Sequence, residues 1–162
     1  MQIGIDEETL KVRAVEVTSS NFGDAPVLPE LRNRIPRDQD IGSVTADGVY
    51  DTRKCHVAIA ARDAHAVIPP RKNAKPWKPM SAAAIARNDA VLAQRYLGRT
   101  VWRRWSGYHR RSRVETKMHC MKLLSQSLMT RDFERQVAEI QVSIVILNHY
   151  TALGIPITKP EG

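Results

Sequence analysis

The sequence predicts a mixed α/β domain whose C-terminal half is helical. Three observations carry that expectation. Short apolar or alternating runs, the signature of strands, are confined to the first 70 residues. Two of these runs flank a segment with helical spacing, and the order strand, helix, strand implies a parallel pair joined by a crossover. From Ser81 onward, capping residues and apolar spacings of three and four leave room only for helices.

Taken in order, residues 2–6 and 12–18 alternate as an antiparallel hairpin, with Asp6, Glu7, Glu8 and Thr9 as its turn. Asp24 is placed to cap a helix running through Arg34, with Pro26 in the first turn and Leu28, Leu31 and Ile35 on one face. Residues 41–46 (IGSVTA) read as a buried strand that delivers Asp47 at its C-terminal end. Asp51 is then expected to cap a second helix carrying Cys55 and Ile59, and residues 65–68 return as a strand. The connection IPPRKNAKPWKPM contains four prolines, which forbid regular structure, and basic residues that keep it solvated.

The helical half begins with a Ser81 cap, and its first helix is expected to end near Gly98. A long helix is expected to start near Ser106. Thr130 is read as the cap of the last helix, with Asp132 and Glu134 in its first turn. Phe133, Val137, Ile140, Ile144 and Leu147 form its apolar stripe, and Gly154, Ile155 and Pro156 supply the stop. The chain divides into a strand and helix part (1–70), the connection (71–80) and the helical part (81–162), all within one domain.

Composition narrows the function. The net charge is +8, with 25 basic and 17 acidic residues among 162. Between Arg99 and Lys122 lie eight Arg or Lys and one acid, Glu115; the remaining 17 basic residues nearly balance the other 16 acidic ones. So local a surplus favours an anionic partner, and a lone carboxylate inside it suggests metal-assisted chemistry on nucleic acid. No apolar run reaches the roughly 20 residues of a membrane span. The N-terminus lacks the pattern of a signal peptide, and two cysteines are too few for a disulfide scaffold. A cytoplasmic location without membrane contact is the expectation.

At 100° per residue, Tyr108, Arg111, Glu115 and Lys122 fall on one helix face, with Val114, Met118, Met121 and Leu128 on the neighbouring inward face. A carboxylate offers hard oxygen ligands to a divalent metal, and Arg and Lys bind the adjacent phosphates. The plainer alternative is a solvated basic helix in which Glu115 pairs with Arg111. Trp102, Trp105 and Tyr108 alternate with Arg103 and Arg104, either to stack on an unpaired base or to anchor the helix in the core. Trp77 either contacts DNA or pins a loop.

The spacing Y-x2-R-x3-E-x6-K at these four residues, together with TADGVYDTRKCH, AVIPPRKNA and RRWSGYHRRSRVETKMHCMKLL, resembles bacterial insertion-sequence DDE transposases of the insertion sequence 5 group. The resemblance covers essentially the whole chain. It implies a ribonuclease H-like fold and an Asp, Asp, Glu triad binding Mg2+ or Mn2+. By position, Asp47 resembles the second aspartate and Glu115 the glutamate, making both the expected catalytic and metal-binding residues. Tyr108, Arg111 and Lys122 resemble the residues that hold the transposon end, and Arg104, Trp105, Arg110 and Arg113 extend the expected DNA contact.

One departure qualifies the resemblance. The family's first aspartate lies upstream of a segment resembling QIGID, which here follows Met1 directly, so the chain is expected to be N-terminally truncated. Asp6 is a weak substitute, because it aligns with the hairpin turn. The first strand is central in such a sheet, so its loss leaves the hairpin with nothing to join it to the strand ending at Asp47. The implied function is a transposase acting on transposon ends and target DNA, inactive as an isolated chain. A DNA-binding inhibitor of intact transposase and a non-functional remnant are the alternatives. Intact transposase, or the product of an upstream frame, is a further candidate partner.

Overall fold

The computed structural model describes residues 1–17, 27–124 and 128–154. Strands β1 (Gln2–Ile5) and β2 (Val12–Glu16) form the antiparallel hairpin. Its turn is built by Asp6, whose Oδ1 accepts from the backbone N–H of Glu8 (3.0 Å) and Thr9 (2.8 Å). This is the local bonding that suits aspartate to turns, and it spends the Asp6 carboxylate on the backbone. Helix α1 (Val27–Asn33) packs on the hairpin and buries Leu28. The expected caps at Asp24 and Pro26, and Thr18 at the end of the hairpin, lie outside the described residues.

Strand β3 (Ser43–Thr45), helix α2 (Arg53–Ala60) and strand β4 (His65–Val67) form the expected parallel crossover unit, with both strands shorter than the apolar runs. Cys55 and Ile59 are fully buried under this unit, against Leu28 and Ile68. Asp51 does not cap α2. Thr52 does, accepting from the Cys55 N–H at 3.3 Å. The helix starts one residue later than expected, which turns the Asp51 side chain inward.

Among the described residues the two strand pairs do not join: β1 pairs with β2, β3 with β4, and the two ladders stay separate. The mixed α/β class is as expected. The outer edge of β2 is covered by a side chain, because Asn148 Oδ1 accepts from Val12 N–H (2.7 Å) and its Nδ2 donates to Val12 C=O (2.9 Å). One amide thereby satisfies a donor and an acceptor that a further strand would otherwise take.

Helix α3 (Ala82–Trp105) starts at the Ser81 cap, as expected, with Ser81 Oγ accepting from Ala84 N–H at 3.2 Å. It does not end at Gly98. That residue takes φ +76° and ψ 160°, a conformation open essentially to glycine, and the chain resumes helically beyond the kink to Trp105. No long helix starts at Ser106 either. Gly107, at φ +74°, leads into a short 3-10 turn (Tyr108–Arg111), and only then does α4 (Ser112–Leu124) begin.

Helix α5 (Phe133–Leu153) buries Ile140, Ile144 and Leu147 against Val12 and Met121. Phe133 is exposed, so the apolar stripe begins later than its spacing suggested. Leu128 is exposed as well and does not continue the inward face of α4. Asp132, not Thr130, caps α5 by accepting from Arg135 N–H at 3.1 Å. Thr130 is held instead through its backbone N–H, which donates to Glu139. Gly154 closes the helix at φ +78°, while Ile155 and Pro156 lie outside the described residues. No helix among the described residues is long and apolar enough to cross a membrane.

Candidate active site on a basic face

Asp47 lies two residues beyond the end of β3, after Ala46, and opens a 3-10 turn (Gly48–Tyr50), its backbone carbonyl accepting from Tyr50 N–H at 2.9 Å. The turn packs hard against the chain beyond β4: a Cβ on Gly48 would lie 3.0 Å from the Pro69 carbonyl oxygen. Glycine is needed here for close approach of two backbones, and the effect is to fix the direction of the Asp47 carboxylate.

The second half of the site comes from the 3-10 turn before α4. Residues three apart eclipse in a 3-10 turn, so Tyr108 and Arg111 point the same way. The Tyr108 ring is buried against Trp102, with ring centres 6.1 Å apart, and against Val67. Its hydroxyl donates to Asp47 Oδ1 at 3.0 Å. Burial, followed by the Asp47 hydrogen bond and charge, pushes the Tyr108 hydroxyl above its ordinary pKa.

Arg111 completes the cluster. Its Nη2 donates to Asp47 Oδ2 and its Nη1 donates to Glu115 Oε1 at 2.6 Å. The Glu115 contact is an i to i+4 pair across the first turn of α4. Partial burial works against the Arg111 charge, but the Glu115 hydrogen bond and the Asp47 charge outweigh it and raise its pKa. Asp47, Tyr108, Arg111 and Glu115 are therefore one hydrogen-bonded set. They are not a single helical face, since Tyr108 and Arg111 precede the α-helix.

The other sequence-derived candidates are distributed around this set. Lys122 lies about two turns further along α4 and is exposed. Arg104 and Trp105 are exposed at the end of α3, whereas Trp102 is buried, so the two tryptophans divide between the surface and core readings. Arg110 pairs with the Glu7 carboxylate, and Arg113 Nη1 donates to the Glu7 carbonyl at 2.6 Å. Both arginines thus engage the tip of the hairpin. Arg103 lies over the Tyr108 ring, 5.4 Å from its centre.

A supporting network was not read from the sequence. The Asp51 side chain is 1% exposed and accepts from Arg87 through Nε (3.0 Å, Oδ1) and Nη2 (3.0 Å, Oδ2). His56 Nε2 lies 3.2 Å from Asp51 Oδ1, and the Arg71 N–H donates to Oδ2 at 3.4 Å. Arg87 Nη1 also donates to the Lys75 carbonyl at 2.6 Å, and its guanidinium stacks on Trp77 at 4.3 Å. Trp77 therefore pins the proline-rich connection to α3. A signal for this existed: Arg87 sits at four-residue spacing between Ala83 and Val91, a charge on an apolar stripe, which calls for a buried partner.

A divalent metal needs several hard ligands, about six around Mg2+ including water. Here the inward oxygens of Asp47 and Glu115 are already engaged by Arg111, and no group of three Asp, Glu, His or Cys suited to a metal occurs among the described residues. As arranged, these residues do not form a metal site.

Fold and site together describe an α/β protein in which one arginine of the most basic segment bridges two acids. The family model described as the transposase DDE domain matches residues 1–149, and the chain belongs to that family. Divalent-metal dependence is general to the family. No solved structure gives a significant match to the chain.

Proposed function

We propose that this chain belongs with the insertion-sequence transposases of the insertion sequence 5 group, with a ribonuclease H-like catalytic domain. The observation that carries this reading is the convergence of Asp47, Tyr108, Arg111 and Glu115, drawn from two halves of the chain, inside its most basic segment. The reaction would be hydrolysis of a phosphodiester at a transposon end, releasing a 3′-hydroxyl. That hydroxyl then attacks a phosphorus of target DNA and displaces a second 3′-oxygen. In this reading Asp47 and Glu115 are the catalytic acids, and they would hold Mg2+ or Mn2+ only in a cleaving form rearranged from the one described. Arg111 and Lys122 bind phosphate, Tyr108 positions the strand, and Arg104, Trp105, Arg110 and Arg113 extend the DNA contact. The place of action is the bacterial cytoplasm.

The cleaving form would require a third acid beside Asp47 and Glu115, and intact transposase or the product of an upstream frame is a candidate partner to supply it. The two acids are bridged by a guanidinium, and the described residues bring no third acid to them, which favours DNA binding without cleavage by this chain alone. An inhibitor of intact transposase is the second reading favoured by that observation.

The test is binding of the 162-residue chain to duplexes carrying insertion-sequence ends, read by fluorescence anisotropy across a salt series. Phosphate contacts predict an affinity that falls steeply with salt. No binding at low salt would overturn the reading, and metal-dependent cleavage by this chain alone would overturn its inactivity.

A further inference from the structure

We propose that Glu7, at the tip of the β1 and β2 hairpin, is an internal stand-in for a nucleic-acid phosphate, held by Arg110 and Arg113 until a DNA phosphate displaces it. The inference rests on the reading of these two arginines as part of a DNA contact.

The hairpin carries acid to the basic segment. Its tip has three consecutive acids, Asp6, Glu7 and Glu8. Asp6 is turned back on its own turn, its Oδ1 accepting from two backbone N–H groups. Glu8 is exposed and forms no ion pair among the described residues. Glu7 reaches across the chain instead. Its carboxylate accepts from Arg110 Nη1, and its carbonyl accepts from Arg113 Nη1 at 2.6 Å.

Both backbones at this contact are fixed. In the tip, Asp6 N–H donates to the Lys11 carbonyl and Leu10 N–H to the Asp6 carbonyl, each at 2.9 Å. Below the tip, Ile3, Ile5 and Val12 join the core that contains Met121 of α4. On the other side, Arg110 N–H donates to the Gly107 carbonyl at 3.0 Å. Only the side chains are left to exchange partners. The Glu7 and Arg110 side chains are 35% and 51% exposed, so an incoming anion can compete for the arginine. The Asp51 and Arg87 pair, 1% and 4% exposed, is sealed against such exchange.

A phosphate is the better partner for the two arginines together. Glu7 gives Arg113 only a neutral carbonyl, and charge-assisted hydrogen bonds are roughly twice as strong as neutral ones. Arg110 merely trades one anion for another. The exchange therefore runs toward DNA, but the broken Glu7 pair is subtracted from the binding. The hairpin tip thus holds DNA affinity below what the basic segment would reach without it.

The experiment measures binding of the full chain to a short duplex of arbitrary sequence by fluorescence anisotropy, and the salt that elutes it from heparin. Circular dichroism checks folding. Glu7→Gln is expected to tighten duplex binding about three- to five-fold, as befits the loss of an exposed, weak pair. Glu8→Gln makes the same change in net charge without breaking a pair and should gain clearly less. Glu7→Asp withdraws the carboxylate at constant net charge and should fall between wild type and Glu7→Gln. With Arg110→Gln already present, the gain from Glu7→Gln should shrink to that from Glu8→Gln. Equal gains from Glu7→Gln and Glu8→Gln overturn the proposal, as does a gain that persists undiminished beside Arg110→Gln. Lower thermal stability in Glu7→Gln without tighter binding would make Glu7 a structural clamp only, and overturns it too. Should Glu7→Gln fail to fold, Glu7→Asp decides alone. Failure of the functional reading is seen separately, as no duplex binding by wild type; heparin elution of the same variants then decides the proposal, because sulfate competes for the same arginines.

Discussion

The Arg111 guanidinium reaches back 64 positions to the Asp47 carboxylate, tying the end of β3 to the turn that precedes α4. The contact joins the strand-bearing half of the chain to its basic helical half. It also places the two acids singled out by the sequence on either side of one cation.

Tyr108 shares in that junction through two separable parts. Its ring is buried beside Trp102 and its hydroxyl bonds a half-exposed carboxylate. Tyr108→Phe should therefore cost about 1 kcal/mol, the net worth of an ordinary hydrogen bond, and Tyr108→Ala about 3–5 kcal/mol through the cavity. Urea denaturation of both variants checks this, and equal losses would mean that the hydroxyl carries the contribution.

Asp51 should dominate acid sensitivity. Burial alone pushes its carboxyl up, but the His56 contact and the Arg87 guanidinium outweigh this and hold it far below its ordinary value of 3.8. A lowered folded pKa means stability that is fully present above about pH 4 and lost as pH falls below it. Asp51→Asn should cost about 3–5 kcal/mol at neutral pH, since it leaves Arg87 buried without its counter-charge. Its stability should also vary less with pH below about 4. A wild-type profile as flat as the variant's would refute the assignment.

Asn148 should act as a substitute strand. Asn148→Leu strands the N–H and C=O of Val12, which is 7% exposed, at an expected cost of about 1–3 kcal/mol for each buried group left unpaired. Asn148→Asp keeps an acceptor and loses the donor, and should lie between. Hydrogen exchange at the Val12 amide gives an independent readout: protection should fall in the leucine variant.

Gly98 decides whether the bend in α3 is required. Its φ is +76°, and a Cβ added there would meet nothing within 4 Å, so the penalty for Gly98→Ala is conformational and not steric. Strain of that kind costs about 1–3 kcal/mol. Thermal unfolding of the alanine variant reads the cost. A variant more stable than wild type would mean that alanine straightens the helix and that the kink is not required by the packing around it.

Much of the fold was legible where a short-range rule decides it. The β3, α2, β4 unit follows from two apolar runs around a helical spacing, and the Asp6 turn and Ser81 cap from side-chain oxygens beside free backbone N–H groups. Asp47 and Glu115 were legible as acids in special positions. Their convergence was implied only by the family resemblance, and the Tyr108 and Arg111 bonds to Asp47 were not legible, because they depend on the Gly107 break and the 3-10 turn, which re-aim both residues away from the helical repeat. Asp51 was misread for a related reason. Caps are local, and Asp51 is claimed by Arg87, 36 residues away. The Asn148 contact spans 136 positions and has no local signature.

The decisive measurement is to cross-link the chain to bound duplex DNA and map the attached peptides by mass spectrometry. Attachment concentrated between residues 99 and 122, at Trp105 or Lys122, is the predicted result. Attachment confined to the connection at 71–80 or to α5, with 99–122 unmodified, would contradict a DNA-binding face built around Asp47, Arg111 and Glu115.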